Sequence, residues 1–238
     1  MSILSEILSD LMALIMPRRC IVCGEELVDG ECDICTTCRY MAPLTGYEGD
    51  AANPLSRRFW GVVPVERASS LIFFVHGSKF QQLIHNFKYR NRWRSALVMG
   101  RWLGESLRRA GLYADVDVVV PVPLHAIRLL RRGYNQSDYV ARGVAEAMGL
   151  KVDSRALSRS RNNPSQTRLA ERDKRDNVRD LFAVRHAEQL AGKHILLVDD
   201  VITSGETITA CIEALVERVP DVRISVASVA CSYNKYGR

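Results

Sequence analysis

Ile195-Leu196-Leu197-Val198 runs straight into Asp199-Asp200, and a loop of small residues, Thr203-Ser204-Gly205, then leads into a further apolar segment. Four consecutive apolar residues suit a central parallel strand covered on both faces, which already commits the chain to an α/β architecture. Ala214, Leu215 and Val216 continue the run as a helix whose start is left with unpaired backbone N–H groups. Such a helix start attracts phosphate, because its donors are free and the helix dipole favours negative charge there. Asp199 and Asp200, at the carboxyl end of the strand, are acceptors suited to sugar hydroxyls or to a hydrated metal. A phosphate cradle next to two carboxylates describes a sugar-phosphate site. A Walker-type nucleotide loop is excluded, since no Gly-x-x-x-x-Gly-Lys-Ser/Thr occurs.

The remaining pattern agrees with alternating strands and helices. Ala68 to Val75, Val116 to Val122 and Val222 to Ala230 read as strands, the second ended by Pro121 and Pro123, which cannot sit inside a central ladder. Phe80, Leu83, Ile84 and Phe87 recur at helical spacing, as do Leu97, Trp102, Leu103 and Leu107. Gln136 to Met148 reads as a helix stopped by Gly149. In such parallel sheets ligands sit beyond the carboxyl ends of the strands, where the Pro121-Val122-Pro123-Leu124-His125 and Asp199-Asp200 loops emerge.

Cysteines crowd one end of the chain. Cys20, Cys23, Cys32, Cys35 and Cys38 fall close together, while Cys211 and Cys231 stand apart in apolar surroundings and read as buried thiols. Cys20-x-x-Cys23 and Cys35-x-x-Cys38 are two knuckles whose spacing lets four thiolates reach one tetrahedral Zn²⁺. Cys32 also forms a C-x-x-C with Cys35, and spacing alone leaves the two choices open. Ahead of the knuckles, Ile3, Leu4, Ile7, Leu8, Leu11, Leu14 and Ile15 form one apolar helical stripe, for packing against the body or a partner, or as a weak membrane-surface anchor. Glu6 and Asp10 on its polar side argue against anionic lipid and against a secretory signal. The expected location is the cytoplasm, with the inner face of the membrane as the variant. From Pro43 to about Gly61 the composition reads as a linker or surface loop.

The chain carries a formal charge of +6, and its arginines are clustered. Lys88, Arg90, Arg92 and Arg94 interleave with Tyr89 and Trp93; Arg128, Arg131 and Arg132 form a second group, and Arg155, Arg159, Arg161 and Arg168 a third. Pyrophosphate, nucleotide or single-stranded nucleic acid are natural partners of such groups, against the plainer reading of a solvated surface. Ser158 to Asp180 is a long polar stretch, of the kind that is functional or unstructured inside a compact domain.

The Asp199-Asp200 run resembles the phosphoribosyl pyrophosphate (PRPP) motif of type I phosphoribosyltransferases. More narrowly, the chain resembles the ComF family, phosphoribosyltransferase-like proteins associated with bacterial DNA uptake. Cys20 to Cys38, Leu83-Ile84-His85-Asn86-Phe87-Lys88-Tyr89, Pro121 to His125 and Arg132-Gly133-Tyr134-Asn135-Gln136 carry the resemblance with it. It implies a parallel sheet flanked by helices, preceded by a small N-terminal helix over 1–18 and a zinc ribbon over 19–45, with the transferase-like domain over 62–238. The family pattern places Cys35 and Cys38, not Cys32, with Cys20 and Cys23 on a structural Zn²⁺. Asp199 and Asp200 would hold the ribose hydroxyls as the catalytic pair. Val201, Ile202, Thr203, Ser204, Gly205, Glu206 and Thr207 would form the 5′-phosphate loop. Mg²⁺ would accompany the pyrophosphate, with Arg131 or Arg132 behind it, and Lys88 would reach a phosphate oxygen or remain solvated. Ser158 to Asp180 would be the loop that folds over PRPP. Partners implied are PRPP, single-stranded DNA and proteins of the competence machinery. The alternative is a nucleotide-salvage or metabolic phosphoribosyltransferase whose acceptor the sequence leaves unnamed.

Overall fold

The computed structural model describes residues 17–87, 92–159 and 181–232. Chain order runs from a short helix α1 (Thr36–Tyr40) and a one-turn α2 (Pro54–Arg57) into β1 (Ala68–Phe74), α3 (Lys79–Asn86) and α4 (Trp93–Ala110). Next come β2 (Val118–Pro121), α5 (Ala126–Arg132), α6 (Gln136–Met148) and β3 (Lys151–Val152). A small hairpin, β4 (Leu157–Arg159) with β5 (Phe182–Val184), and α7 (Ala187–Leu190) precede β6 (His194–Ile202), α8 (Glu206–Arg218) and β7 (Arg223–Ser232). The expected parallel sheet is present, five strands in the order β1-β7-β6-β2-β3. Among the described residues no helix is long and apolar enough to cross a membrane.

β6 is central because its residues alternate between two apolar layers. Leu196 and Val198 pack with Met99, Leu103 and Val144 on the α4–α6 side, while Ile195 and Leu197 pack with Ile208, Ile212 and Leu215 of α8. Residues Ile195 to Val198 are wholly buried, and each such side chain contributes about 1.5–3 kcal/mol relative to exposure. The chain leaves β2 through α6 toward β3 at one edge, and leaves β6 through α8 toward β7 on the other side. Strand order therefore reverses between β2 and β6, and the crevice beyond their carboxyl ends is the ligand position of open α/β sheets.

Two sequence expectations need correction. Pro121 does pair within the sheet, opposite Val198, as the last residue of β2. It is tolerated because β2 bonds to β6 through the N–H of Val122, which reaches Val198 O at 2.9 Å, while β3 pairs with β2 only at Val118 and Val119. No ladder partner is left wanting at the proline. The stretch read as a linker is instead packed, with Leu55 and Phe59 buried beside Ala68 and Val226. Asn53 organises it: its Oδ1 accepts from the N–H groups of Leu55 and Ser56, and its Nδ2 donates to the carbonyls of Tyr47 and Ala68.

α4 and α6 touch backbone to backbone. A Cβ on Gly143 would lie 2.2 Å from Leu97 O, and one on Gly100 would lie 2.2 Å from Val140 O. Gly143→Ala should therefore destabilise the fold by on the order of 3 kcal/mol, the upper end for overpacking. Thermal unfolding checks this; an unchanged Tm would show that the two helices separate without penalty. The contact matters for function because α6 delivers its first turn to the crevice.

Candidate functional site

A cavity of about 370 Å³ opens at the β2–β6 switch point. Val122, Pro123 and Leu124 line it from the loop after β2, and Asp199, Asp200, Val201, Thr203 and Thr207 from β6 and the start of α8. Arg128, Arg132, Asn135, Gln136, Ser137, His85 and Arg159 also line it.

The carboxylate pair is held by short hydrogen bonds. Ser137 Oγ donates to Asp199 Oδ1 at 2.8 Å, and the backbone N–H of Asp200 donates to the same oxygen at 2.8 Å. Val201 N–H donates to Asp200 Oδ1 at 2.9 Å. Burial, and then the charge of Asp200 beside it, push the Asp199 carboxyl above the usual carboxylate range. A cation or a pair of hydroxyl donors entering the cleft would relieve that repulsion.

The loop after β6 is shaped by Gly205, which takes φ of 82° as the residue before α8 and makes no side-chain cap. Glycine alone adopts that conformation without strain, and the uncapped first turn keeps its N–H groups for a ligand. Thr203 and Thr207 face the cavity, whereas Ile202 is buried in the core on the α8 side. Ser204, Gly205 and Glu206 follow the loop but do not line the cavity.

Of the two arginines expected behind the pyrophosphate, Arg132 reaches the cavity and Arg131 is exposed outside its lining. Lys88, and Ser158 to Asp180 apart from Ser158 and Arg159, lie outside the described residues, as does the apolar stripe before Pro17. Ser137 is a cavity residue for which the sequence suggested no role, while Arg128 and Arg159 were read only as members of arginine groups suited to pyrophosphate or nucleic acid, Arg159 also within the stretch expected to fold over PRPP. Asn135 ties the two walls together, its Nδ2 donating to Val122 O at 2.9 Å. The only sequence signal for it and Gln136 was the Arg132 to Gln136 run.

The cysteines form a second candidate site. The Sγ atoms of Cys20, Cys23, Cys35 and Cys38 all lie within 4.8 Å of one another. The N–H of Cys35 donates to Cys20 Sγ and that of Cys38 to Cys35 Sγ, each at 3.4 Å. Burial opposes ionisation of Cys20, but N–H groups of Cys35, Cys23 and Val22 bring its thiol down to about 7. Four thiols at this spacing, with backbone donors aimed at sulfur, can hold a metal ion such as zinc. Cys32 is exposed and stays out of the cluster. Around the start of α4, Trp93 packs against Tyr139 with ring centres 5.2 Å apart and the rings tilted by 32°, and the Arg142 guanidinium lies over Tyr139 at 5.1 Å. Arg92 and Arg94 are exposed beside them.

Residues 105–236 match the family described as phosphoribosyl transferase domain. A DNA utilization protein, YhgH, of Salmonella typhi is 28% identical over 213 residues, covering 85% of this chain and 92% of its own. Competence protein F of Haemophilus influenzae is 25% identical over 199 residues, covering 80% of this chain and 87% of its own. The ComF resemblance is thereby borne out. Among solved structures, a glutamine PRPP amidotransferase from B. subtilis is 19% identical with a TM-score of 0.43, covering 60% of this chain and 30% of that one.

Proposed function

The chain belongs to the phosphoribosyl transferase domain family, and on that premise we propose that its cleft binds PRPP together with Mg²⁺. One observation carries the reading: the sheet's switch point delivers two carboxylates beside an uncapped helix start lined by Thr203 and Thr207. Asp199 and Asp200 orient the ribose through its 2′- and 3′-hydroxyls, and Ser137 fixes Asp199 in place. The Thr203 to Thr207 loop takes the 5′-phosphate on backbone N–H groups and hydroxyls. Arg132 stands behind the pyrophosphate, where positive charge offsets the departing anion. Mg²⁺, when bound, neutralises the pyrophosphate. Phosphoribosyl transfer develops positive charge on the sugar, so holding the sugar and excluding water are the protein's main tasks. The acceptor is open, and pyrophosphate release in the presence of candidate acceptors separates a transferase from a PRPP sensor. Calorimetry with PRPP, ribose 5-phosphate and ribose tests the binding: the first two should bind and ribose should not. Equal binding of ribose would remove the phosphate loop from the reading.

The names of the relatives support a place in DNA uptake, and the four-cysteine cluster supports a structural zinc. For direct contact with single-stranded DNA the specific support is the Trp93–Tyr139 aromatic pair, with Arg142, Arg92 and Arg94 around it. Bases stack on such surfaces with little sequence preference, and phosphate contacts make affinity fall with salt. Arg92→Glu with Arg94→Glu should cut affinity for an oligothymidylate by on the order of tenfold and flatten its salt dependence. Fluorescence anisotropy reads this, and an unchanged salt slope would exclude these arginines from the interface.

A further inference from the structure

An apolar groove of about 450 Å³ opens between the cysteine cluster and the start of α3, and it shares no residue with the cleft. Val22, Cys38 and Met41 line it from the cysteine-rich end, Val75 from the residue after β1, and Lys79 and Phe80 from α3. Met41 is 69% exposed and Val75 38%. An apolar hollow left to water forfeits the free energy of burial, and such patches mark places where something docks.

The sequence supplies an occupant. The apolar stripe between Ile3 and Ile15 is required by neither the cleft nor the cysteine cluster. It ends beside Pro17, and Val22 of the groove follows that proline by only a few residues. A helix over residues 1–16 is about 24 Å long, and so short a tether holds it at an effective concentration in the millimolar range, so weak contact suffices to seat it. At about 100° per residue, Glu6 and Asp10 fall along one border of the stripe. Lys79 lines the groove and makes no ion pair among the described residues. Apolar character and charge therefore both match this segment to the groove.

We propose that residues 1–16 dock in this groove as a helix of the same chain, the stripe on Met41, Val75 and Phe80 and the acidic border toward Lys79. The segment then closes the groove over Cys38 and ties the start of the chain to the sheet. While it is seated, no free stripe is left for a bilayer or a partner protein.

The test is hydrogen exchange of the full chain, read by mass spectrometry, on wild type, Leu8→Asp with Leu11→Asp, and Met41→Asp with Val75→Asp. Both groove positions are already exposed, so the second pair leaves the core intact, with protection of β6 as the control. In wild type, peptides from 1–16 should exchange about tenfold or more slowly than in either variant, and dilution should not change this. Peptides over 75–82 should lose protection in the Leu8, Leu11 variant, because the contact is mutual. Lys79→Glu should also loosen the segment, and adding Glu6→Lys with Asp10→Lys should restore the wild-type rate. Exchange in 1–16 that is equally fast in all three proteins overturns the docking, as does protection that the groove variant keeps. Protection lost on dilution overturns it by giving the groove to a second copy, and protection seen only with phosphatidylglycerol vesicles by giving the stripe to a membrane. If the groove pair disturbs β6, the charge reversal decides alone, and failure of the rescue overturns the proposal.

Discussion

Replacing both carboxylates, Asp199→Asn with Asp200→Asn, is expected to weaken PRPP binding by on the order of a hundredfold, since each loses a charge-assisted hydrogen bond of about 1.5 kcal/mol or more. Calorimetry on the folded double variant reads the effect. Equal affinity for both proteins would sink the assignment of the ribose to this pair. The pH dependence gives a second reading of the same site. Burial, then the charge of Asp200, hold the Asp199 proton to higher pH in the folded chain than in the unfolded one. Ionising Asp199 therefore costs stability: the cost is absent below the ordinary carboxylate range and complete once pH has passed the raised one. A bound cation favours the ionised pair, so affinity for PRPP with Mg²⁺ should climb as pH rises through that interval. Asp199→Asn alone should flatten the climb. A profile that stays equally steep in this variant would place the titrating group elsewhere.

What was legible in the sequence follows from how local each signal is. Ile195 to Val198 announced a central strand because both faces had to be apolar, and the carboxylates follow the strand without interruption. Gly149 marked the end of α6 because a left-handed residue stops a helix. The choice between Arg131 and Arg132 was not legible: adjacent helical residues differ by about 100° around the axis, and only the packed position of α5 says which one meets the cavity. Ser137 is sixty-two residues from Asp199 and reaches it only once α6 lies across β6. Asn53 defeated the linker reading because a Gly, Asn, Pro and Ser composition looks alike whether its polar groups meet water or buried carbonyls. Spacing left Cys32 and Cys38 as rivals for the fourth thiolate. The family pattern chose Cys38, which the structure joins to the cluster.

The metal prediction reaches furthest into the fold, because the cysteine cluster does not stand apart from the sheet. Cys20, Ile34 and Cys38 belong to the same apolar core as Leu71, Phe80 and Trp102, and Arg39 of α1 lays its guanidinium over Trp102 at 5.1 Å. We propose Zn²⁺ as the occupant, on four ligands that close a tetrahedral sphere and leave no open position for catalysis. Binding that favours only the folded chain stabilises it by about 4 kcal/mol at free metal about a thousand times Kd, so chelation should lower Tm by on the order of 10 °C. Elemental analysis should give about one zinc per chain, matching one four-thiolate site. Cys32→Ser should keep that zinc, and Cys35→Ser should lose both the metal and the stability that accompanies it. Full zinc in Cys38→Ser with loss in Cys32→Ser would mean that the exposed thiol is the ligand. A Tm indifferent to chelator would show that the apolar contacts hold this end of the chain without metal.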